Sequence, residues 1–106
     1  MDILEKKNHF NNLYDYYKNL LTAKQQMYFE SYYFDDLSLA EIADIHQVSR
    51  NAIFDQLKKI YALLEDYEVK LGLFNQFKKR VAIYEEYSKT NNVEVLQIIE
   101  KLKNVE

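Results

Sequence analysis

Apolar positions recur at helical spacing along nearly the whole chain, and polar positions fill the gaps. Ile3, Phe10, Leu13, Tyr17 and Leu20 lie three, four or seven residues apart, which predicts a first helix to about Leu20 with one apolar face and Asp2 as its cap. In "TAKQ", Thr22 and Gln25 have the spacing of a capping box, so a second helix is expected over about Ala23 to Phe34. Met27, Tyr28, Phe29, Tyr32, Tyr33 and Phe34 crowd that helix, and "DDLS" ends it. Ser38 and Glu41 in "SLAE" form a second capping box for a short helix that turns Leu39, Ile42 and Ala43 inward.

Beyond "HQVS", Ser49 caps a much longer pattern. Ile53, Leu57, Ile60, Leu64, Tyr67, Leu71, Phe74 and, after a gap at Lys78, Val81 alternate by fours and threes, a heptad seam. No proline or cap interrupts it, so one helix is expected from Ser49 to Tyr87. Gly72, at about 1 kcal/mol against alanine, would bend that helix without ending it. A second stripe of Tyr61, Leu73, Phe77, Tyr84 and Tyr87 lies beside the first, and a two-striped helix can serve its own chain with one stripe and a second chain with the other. "KTNN" breaks the pattern, and "VEVLQIIEKLKNVE" reads as a short terminal helix. The expected fold class is all-α: a helix-turn-helix bundle over residues 1–67, followed by a long helix extension and terminal helix over 68–106 of the same domain.

The helix-turn-helix expectation comes from the middle of the chain. Two helices that cross at a tight turn need a small residue at their closest approach, and Ala43 supplies it. Val48 would fill the space under the turn, Ile53 would anchor the second helix, and Ser49 would leave that helix's first turn open to a groove. Gln47 stands where glycine often permits a left-handed residue, at a cost of about 1 kcal/mol, so a modified turn is expected. The outward positions are then Ser49, Arg50, Asn51, Phe54, Asp55, Lys58 and Lys59. Arg50 suits guanine or a phosphate, Asn51 an adenine edge, and the two lysines suit phosphates. Asp55 opposes a polyanion, and a solvated helix face with ordinary charges fits the same residues.

Composition narrows the function. The 106 residues are 48% apolar and 29% charged, with one glycine and no proline, as a soluble helical chain requires. Net charge is −3, distributed as −4 over residues 1–48, +3 over 49–80 and −2 over 81–106. The basic stretch therefore begins at the second helix of the turn, but it is modest for a dedicated DNA binder. Absence of cysteine excludes disulfides and thiolate chemistry. The N-terminus has no signal-like apolar run and nothing approaches the roughly 20 residues of a membrane span, so a cytoplasmic protein with no membrane insertion is expected.

Chemistry is sparse. His9 and His46 are the only histidines, too few for a metal site, and His46 is expected to be packed at the turn. Asp35 and Asp36 diverge as neighbours at a helix end and suit termination better than acid–base work. A single glycine rules out a phosphate-cradling glycine loop, and Ser31, Ser38, Ser49 and Ser88 have no histidine partner nearby in sequence. No cofactor, metal or catalytic set is expected, and the chain does not read as an enzyme. The Tyr28–Phe34 aromatics could stack on unpaired RNA bases, but the sequence interleaves no basic residues there, so core packing is the expected use.

"LLTAKQQMYFESYYFDDLSLAEIADIHQVSRNAIFDQLKKI", preceded by "ILEKKNHFNNLYDYY", closely resembles the YlxM family of small bacterial helix-turn-helix proteins and is similar to region 4 of sigma factors. The likeness spans about residues 1–85. It implies a sigma-region-4-like bundle and a non-enzymatic accessory or regulatory role in the signal recognition particle pathway. The implied partners are the particle's GTPase, its receptor or its RNA. The residues that the resemblance carries over are Ser49, Arg50, Asn51, Ile53, Phe54 and Asp55, as a surface of interest and its support; the alternative is a transcription regulator that binds DNA as a dimer through the helix beginning at Ser49. The heptad seam adds an expected homodimer.

Overall fold

A computed structural model describes all 106 residues, and it is helical with no strand. The elements are α1 (Ile3–Tyr17), a 3-10 turn (Lys18–Leu20), α2 (Ala23–Tyr33), α3 (Leu39–His46), α4 (Arg50–Leu71), α5 (Leu73–Tyr87) and α6 (Val93–Asn104). The chain divides into two compact units, Met1–Gly72 and Leu73–Glu106.

In the first unit α4 is the central element, packed against α1, α2 and α3. Ile53, Leu57, Ile60 and Leu64 follow the seam expected from the sequence and are all buried. Against them lie Phe10, Leu13, Tyr14 and Tyr17 of α1, Tyr28 and Phe29 of α2, and Ile42 and Ala43 of α3. Much of this core is aromatic. Phe29 is stacked between Tyr14 and Tyr33, with ring centroids 4.1 Å from each. Phe10 stacks on Tyr61 at 4.3 Å, tying α1 to α4.

Tyrosine is amphipathic, and the hydroxyls find partners at the edge of the core. Tyr14 donates to Glu30 at 2.9 Å and Tyr17 to Glu68 at 2.6 Å, while Tyr33 donates to Tyr61 at 3.1 Å. His9 meets Glu65 at 2.5 Å as a further link between α1 and α4. No buried side-chain polar atom is left without a partner.

Both capping boxes form. Thr22 Oγ1 accepts from the Gln25 amide at 3.1 Å while Gln25 Oε1 accepts from the Thr22 amide at 2.9 Å. Ser38 and Glu41 make the same reciprocal pair at 3.1 and 3.0 Å. Those hydrogen bonds hold the Glu41 carboxyl below its ordinary range.

Four expectations are corrected. The first helix tightens into its 3-10 turn after Tyr17 and does not run as one helix to Leu20, and Ile3 and Leu20 at its ends are exposed. The second helix does not bury all the apolar side chains crowded on it: Met27 and, at its end, Phe34 are each half exposed. Val48 does not fill the space under the turn, being 41% exposed. The most consequential correction concerns Gly72. It adopts φ 64°, ψ 25°, donates its amide to Glu68 O at 2.8 Å, and ends α4 instead of bending it. A glycine at φ > 0 is an ordinary helix stop, and the uninterrupted helix from Ser49 to Tyr87 becomes two.

The second unit is a helical pair, α5 and α6, each with a single buried apolar residue, Tyr84 and Ile99. Asn92 caps α6 by accepting from the Glu94 and Val95 amides at 3.0 and 3.3 Å. Glu106 fastens the end of the chain, accepting from Tyr84 Oη at 2.5 Å and Arg80 Nε at 2.7 Å.

Candidate docking face of the helix-turn-helix

The turn is built from local hydrogen bonds. Gln47 adopts φ 56°, ψ 43°, the left-handed conformation that glycine usually supplies. The Val48 amide reaches back to Ala43 O at 3.0 Å, and the Gln47 amide to Asp44 O at 3.3 Å. This is a Schellman stop, and it satisfies carbonyls that would otherwise be orphaned at the end of α3. No modified turn is needed, because these bonds offset the cost of about 1 kcal/mol for a side chain in this conformation. His46 packs edge-on against Tyr28 with centroids 4.9 Å apart.

Two residues after Gln47, Ser49 opens α4. Its hydroxyl accepts from the Ala52 amide at 3.0 Å and is engaged as a cap. Below it Ile53 is fully buried and holds α4 down. Ser49, Arg50, Asn51, Phe54, Asp55, Lys58 and Lys59 are all exposed. At 3.6 residues per turn, Arg50, Phe54 and Lys58 form one row along the helix and Asn51, Asp55 and Lys59 the next. Arg50, Lys58 and Lys59 lie outside the ion pairs of the chain. The leading tip of α4 is not walled in by the protein's own side chains.

The charge around this tip is mixed. Asp35, Asp36, Glu41 and Asp44 are exposed on the preceding segments, and Asp55 sits among the cations of α4 itself. Three exposed apolar side chains belong to the same segment: Ile45 at 64%, Val48 and Phe54.

Four further residues, absent from the candidates drawn from the sequence, join this region in space. Lys6 and Lys7 of α1 place their ammonium groups 5.0 Å from the Tyr61 and Tyr32 ring centroids, respectively. Lys58 lies 5.5 Å from that of Phe54. The aromatic run of α2 does therefore meet basic residues: Lys24 of α2 itself reaches Tyr28 at 5.8 Å, but Lys7, over Tyr32 and Tyr33, comes from another helix. No local sequence signal could have paired residues 25 or more positions apart.

No cluster of three or more histidine, cysteine, aspartate or glutamate side chains is arranged to hold a metal ion, and no helix is long and apolar enough to cross a membrane.

Residues 4–105 match the model of a family described as "UPF0122: Putative helix-turn-helix protein, YlxM / p13 like". The chain belongs to this family. It is 43% identical over 105 residues to a UPF0122 protein of Oceanobacillus iheyensis, an alignment covering 98% of this chain and all of the relative. A UPF0122 protein of Anoxybacillus flavithermus is also 43% identical, over 112 residues, with 98% of this chain and all of the relative covered. One from Bacillus pumilus is 54% identical over 77 residues, covering 73% of this chain and 70% of the relative. The family is described by its helix-turn-helix and by no catalytic activity.

Proposed function

We propose that this UPF0122 member is a non-enzymatic accessory protein of the cytoplasmic signal recognition particle pathway. It docks through the exposed leading turns of α4 onto the particle's GTPase or the GTPase's receptor. The observation that carries a protein partner is the composition of that face. Ile45, Val48 and Phe54 are exposed among charges of both signs. Protein interfaces mix apolar and charged groups in this way, whereas a DNA-binding face is strongly basic. The pathway itself is supported by the family likeness.

The test is a pulldown from the lysate of a bacterium that carries the protein, probed for the GTPase, its receptor and the particle RNA. Recovery of the GTPase or the receptor by the wild-type chain, reduced several-fold by Asn51→Ala with Lys59→Ala, is expected. Repeated recovery of none of the three would overturn the pathway reading. The particle RNA captured alone would replace the protein partner with a nucleic-acid one.

A second reading, a dimeric DNA-binding regulator, is favoured by one observation. Arg50 and Asn51 occupy the first exposed turn of α4, where a recognition helix meets base edges. Gel shifts on genomic fragments separate the two readings. Sequence-selective binding that weakens steeply with salt, and that Arg50→Ala with Lys58→Ala abolishes, would favour the regulator. Either reading includes a homodimer, supported by exposed Ile83 on α5 and exposed Leu96, Ile98 and Leu102 on α6. Light scattering at micromolar concentration that finds only a 12.8 kDa species would exclude it.

A further inference from the structure

We propose that the groove centred on Tyr32, on the side of the bundle where α1 and α2 meet α4, is a docking site for an acidic amphipathic segment of a partner protein. Its apolar side chains would rest on Phe54, Leu57 and Tyr61, and its carboxylates would meet Lys6, Lys7 and Lys58. This goes beyond the α4 tip described above, because Lys6 and Lys7 of α1 and Tyr32 of α2 lie outside the helix-turn-helix, and Tyr61 lies on α4 past the seven exposed candidates.

Two adjoining depressions form the groove. One, of about 280 Å³, is lined by Lys6, Tyr32, Leu39, Phe54, Leu57, Lys58 and Tyr61. The other, of about 180 Å³, continues along α1 past Ile3, Lys6, Lys7 and Tyr33. Neither lining contains a carboxylate. Asp36 and Glu41 enter only in a third depression, of about 420 Å³, beside Arg50. Lys6, Lys7 and Lys58 also stand outside the chain's ion pairs. In a chain of net charge −3, an apolar floor rimmed by three unneutralised ammonium groups is complementary to acid, not to base.

Ring geometry separates an acidic peptide from a nucleic acid. Stacking an unpaired base requires an open aromatic face. Tyr61 already has Phe10 stacked on it at 4.3 Å and the Lys6 ammonium over it at 5.0 Å. Tyr32 has Lys7 over its ring, and Phe54 has Lys58 over its own. A base would have to displace an ammonium group from its cation–π contact, typically worth about 0.5–1 kcal/mol at exposed sites. A carboxylate binds each ammonium where it already sits. The arrangement favours carboxylates alternating with apolar anchors, as on one face of an acidic helix.

Fluorescence anisotropy on the full chain tests this. The probe is a fluorescein-labelled amphipathic peptide of about a dozen glutamate, leucine and phenylalanine residues. Parallel arms use the same peptide with glutamine for glutamate, and an oligouridine RNA of similar length. Saturable binding of the glutamate peptide is expected, weakened about tenfold or more by Lys6→Glu with Lys58→Glu, since each reversal exchanges an attraction for a repulsion. Lys6→Gln with Lys58→Gln should shift it in the same direction by less, and Lys79→Glu, on α5, should leave it unchanged; circular dichroism checks that each variant is folded. Absence of saturable peptide binding, equal affinity for the glutamine peptide, or insensitivity to both lysine pairs would overturn the assignment. So would oligouridine binding that needs Lys6 and Lys58 while the peptide fails to bind, which would give the groove to nucleic acid. Asn51→Ala with Lys59→Ala leaves the groove lining intact, so its effect on GTPase or receptor capture is read independently of the peptide result.

Discussion

The Met1–Gly72 and Leu73–Glu106 units are both helical, but they are held together differently. Thirteen of the fifteen buried apolar residues belong to the first and only Tyr84 and Ile99 to the second. In the first unit three helices close on α4, so each core side chain meets neighbours from several elements and the core is continuous. In the second, two helices face one another, and the Tyr84–Glu106–Arg80 cluster adds a polar fastening at the end of the chain. Apolar stripes of similar appearance along the sequence thus support different amounts of burial. A stripe is buried only to the extent that other elements fold over it, so the first unit is the stable platform of the molecule and the second the softer one.

The largest effect expected from breaking this contrast is in the core of the first unit. Ile60→Ala removes a fully buried side chain and should cost about 2–5 kcal/mol, read from urea denaturation. Ile99→Ala should cost less and speed amide exchange in α6 without changing the exchange of α1 and α4. Comparable losses at the two sites would mean that the units do not differ as described.

Alkaline pH should weaken both units, since the hydrogen bond to Glu106 raises Tyr84 in the second, but Tyr14 lets the effect on the first be isolated. Burial first, and then the hydrogen bond to Glu30, raise the Tyr14 hydroxyl above its ordinary value, and burial raises Tyr33 as well. A raised folded value means that the unfolded chain ionises first. The stability these protons provide is complete below about pH 10 and falls as pH rises beyond it. Denaturation midpoints should drop between about pH 9 and pH 11, and Tyr14→Phe should make that drop shallower. An unchanged slope would dissociate Tyr14 from the effect.

The boundary between the units can also be tested. A Cβ at Gly72 meets nothing nearer than Glu68 O at 4.0 Å, so Gly72→Ala introduces no clash. It does penalise the left-handed backbone by about 1 kcal/mol and improves helix propensity by a similar amount. Both changes push the segment toward one continuous helix, visible as helical carbon chemical shifts across residues 71–73. Left-handed, non-helical shifts at residue 72 with a lower melting temperature would mean that packing, not glycine, sets the stop.

The smallest effect concerns the α3 cap. The Glu41 carboxyl is held low by the Ser38 backbone and hydroxyl, so its contribution is present above its unfolded value and lost as pH falls. Melting temperature should fall slightly from pH 5 to pH 3, and less so in Glu41→Gln.

Much of this architecture is legible in the sequence. The boxes at Thr22–Gln25 and Ser38–Glu41 are local chemistry, and both form as spaced. A helix of 3.6 residues per turn puts Ile53, Leu57, Ile60 and Leu64 on one face, and they are buried where α1, α2 and α3 cover it, while Leu71 of the same seam is half exposed. Periodicity misled at Gly72, since a repeat continues through a stop without recording the sign of φ. At Val48 apolar character alone does not bring burial, since only neighbouring elements could cover it, and it stays 41% exposed. The seven candidates on α4 could be named because they share one helix, whereas Lys6, Lys7, Tyr32 and Tyr61 could not.

By itself the sequence determined the helical class, the two capping boxes and the Ser49 cap, because each depends on residues within a few turns of one another. Only the tertiary structure decided that Lys6 and Lys7 cover the tyrosines of α2 and α4. Segment charge hid this, for both lysines lie in the stretch of residues 1–48 that sums to −4. Charge along a chain adds by position, but the field at a surface adds by distance, and folding sets the distances.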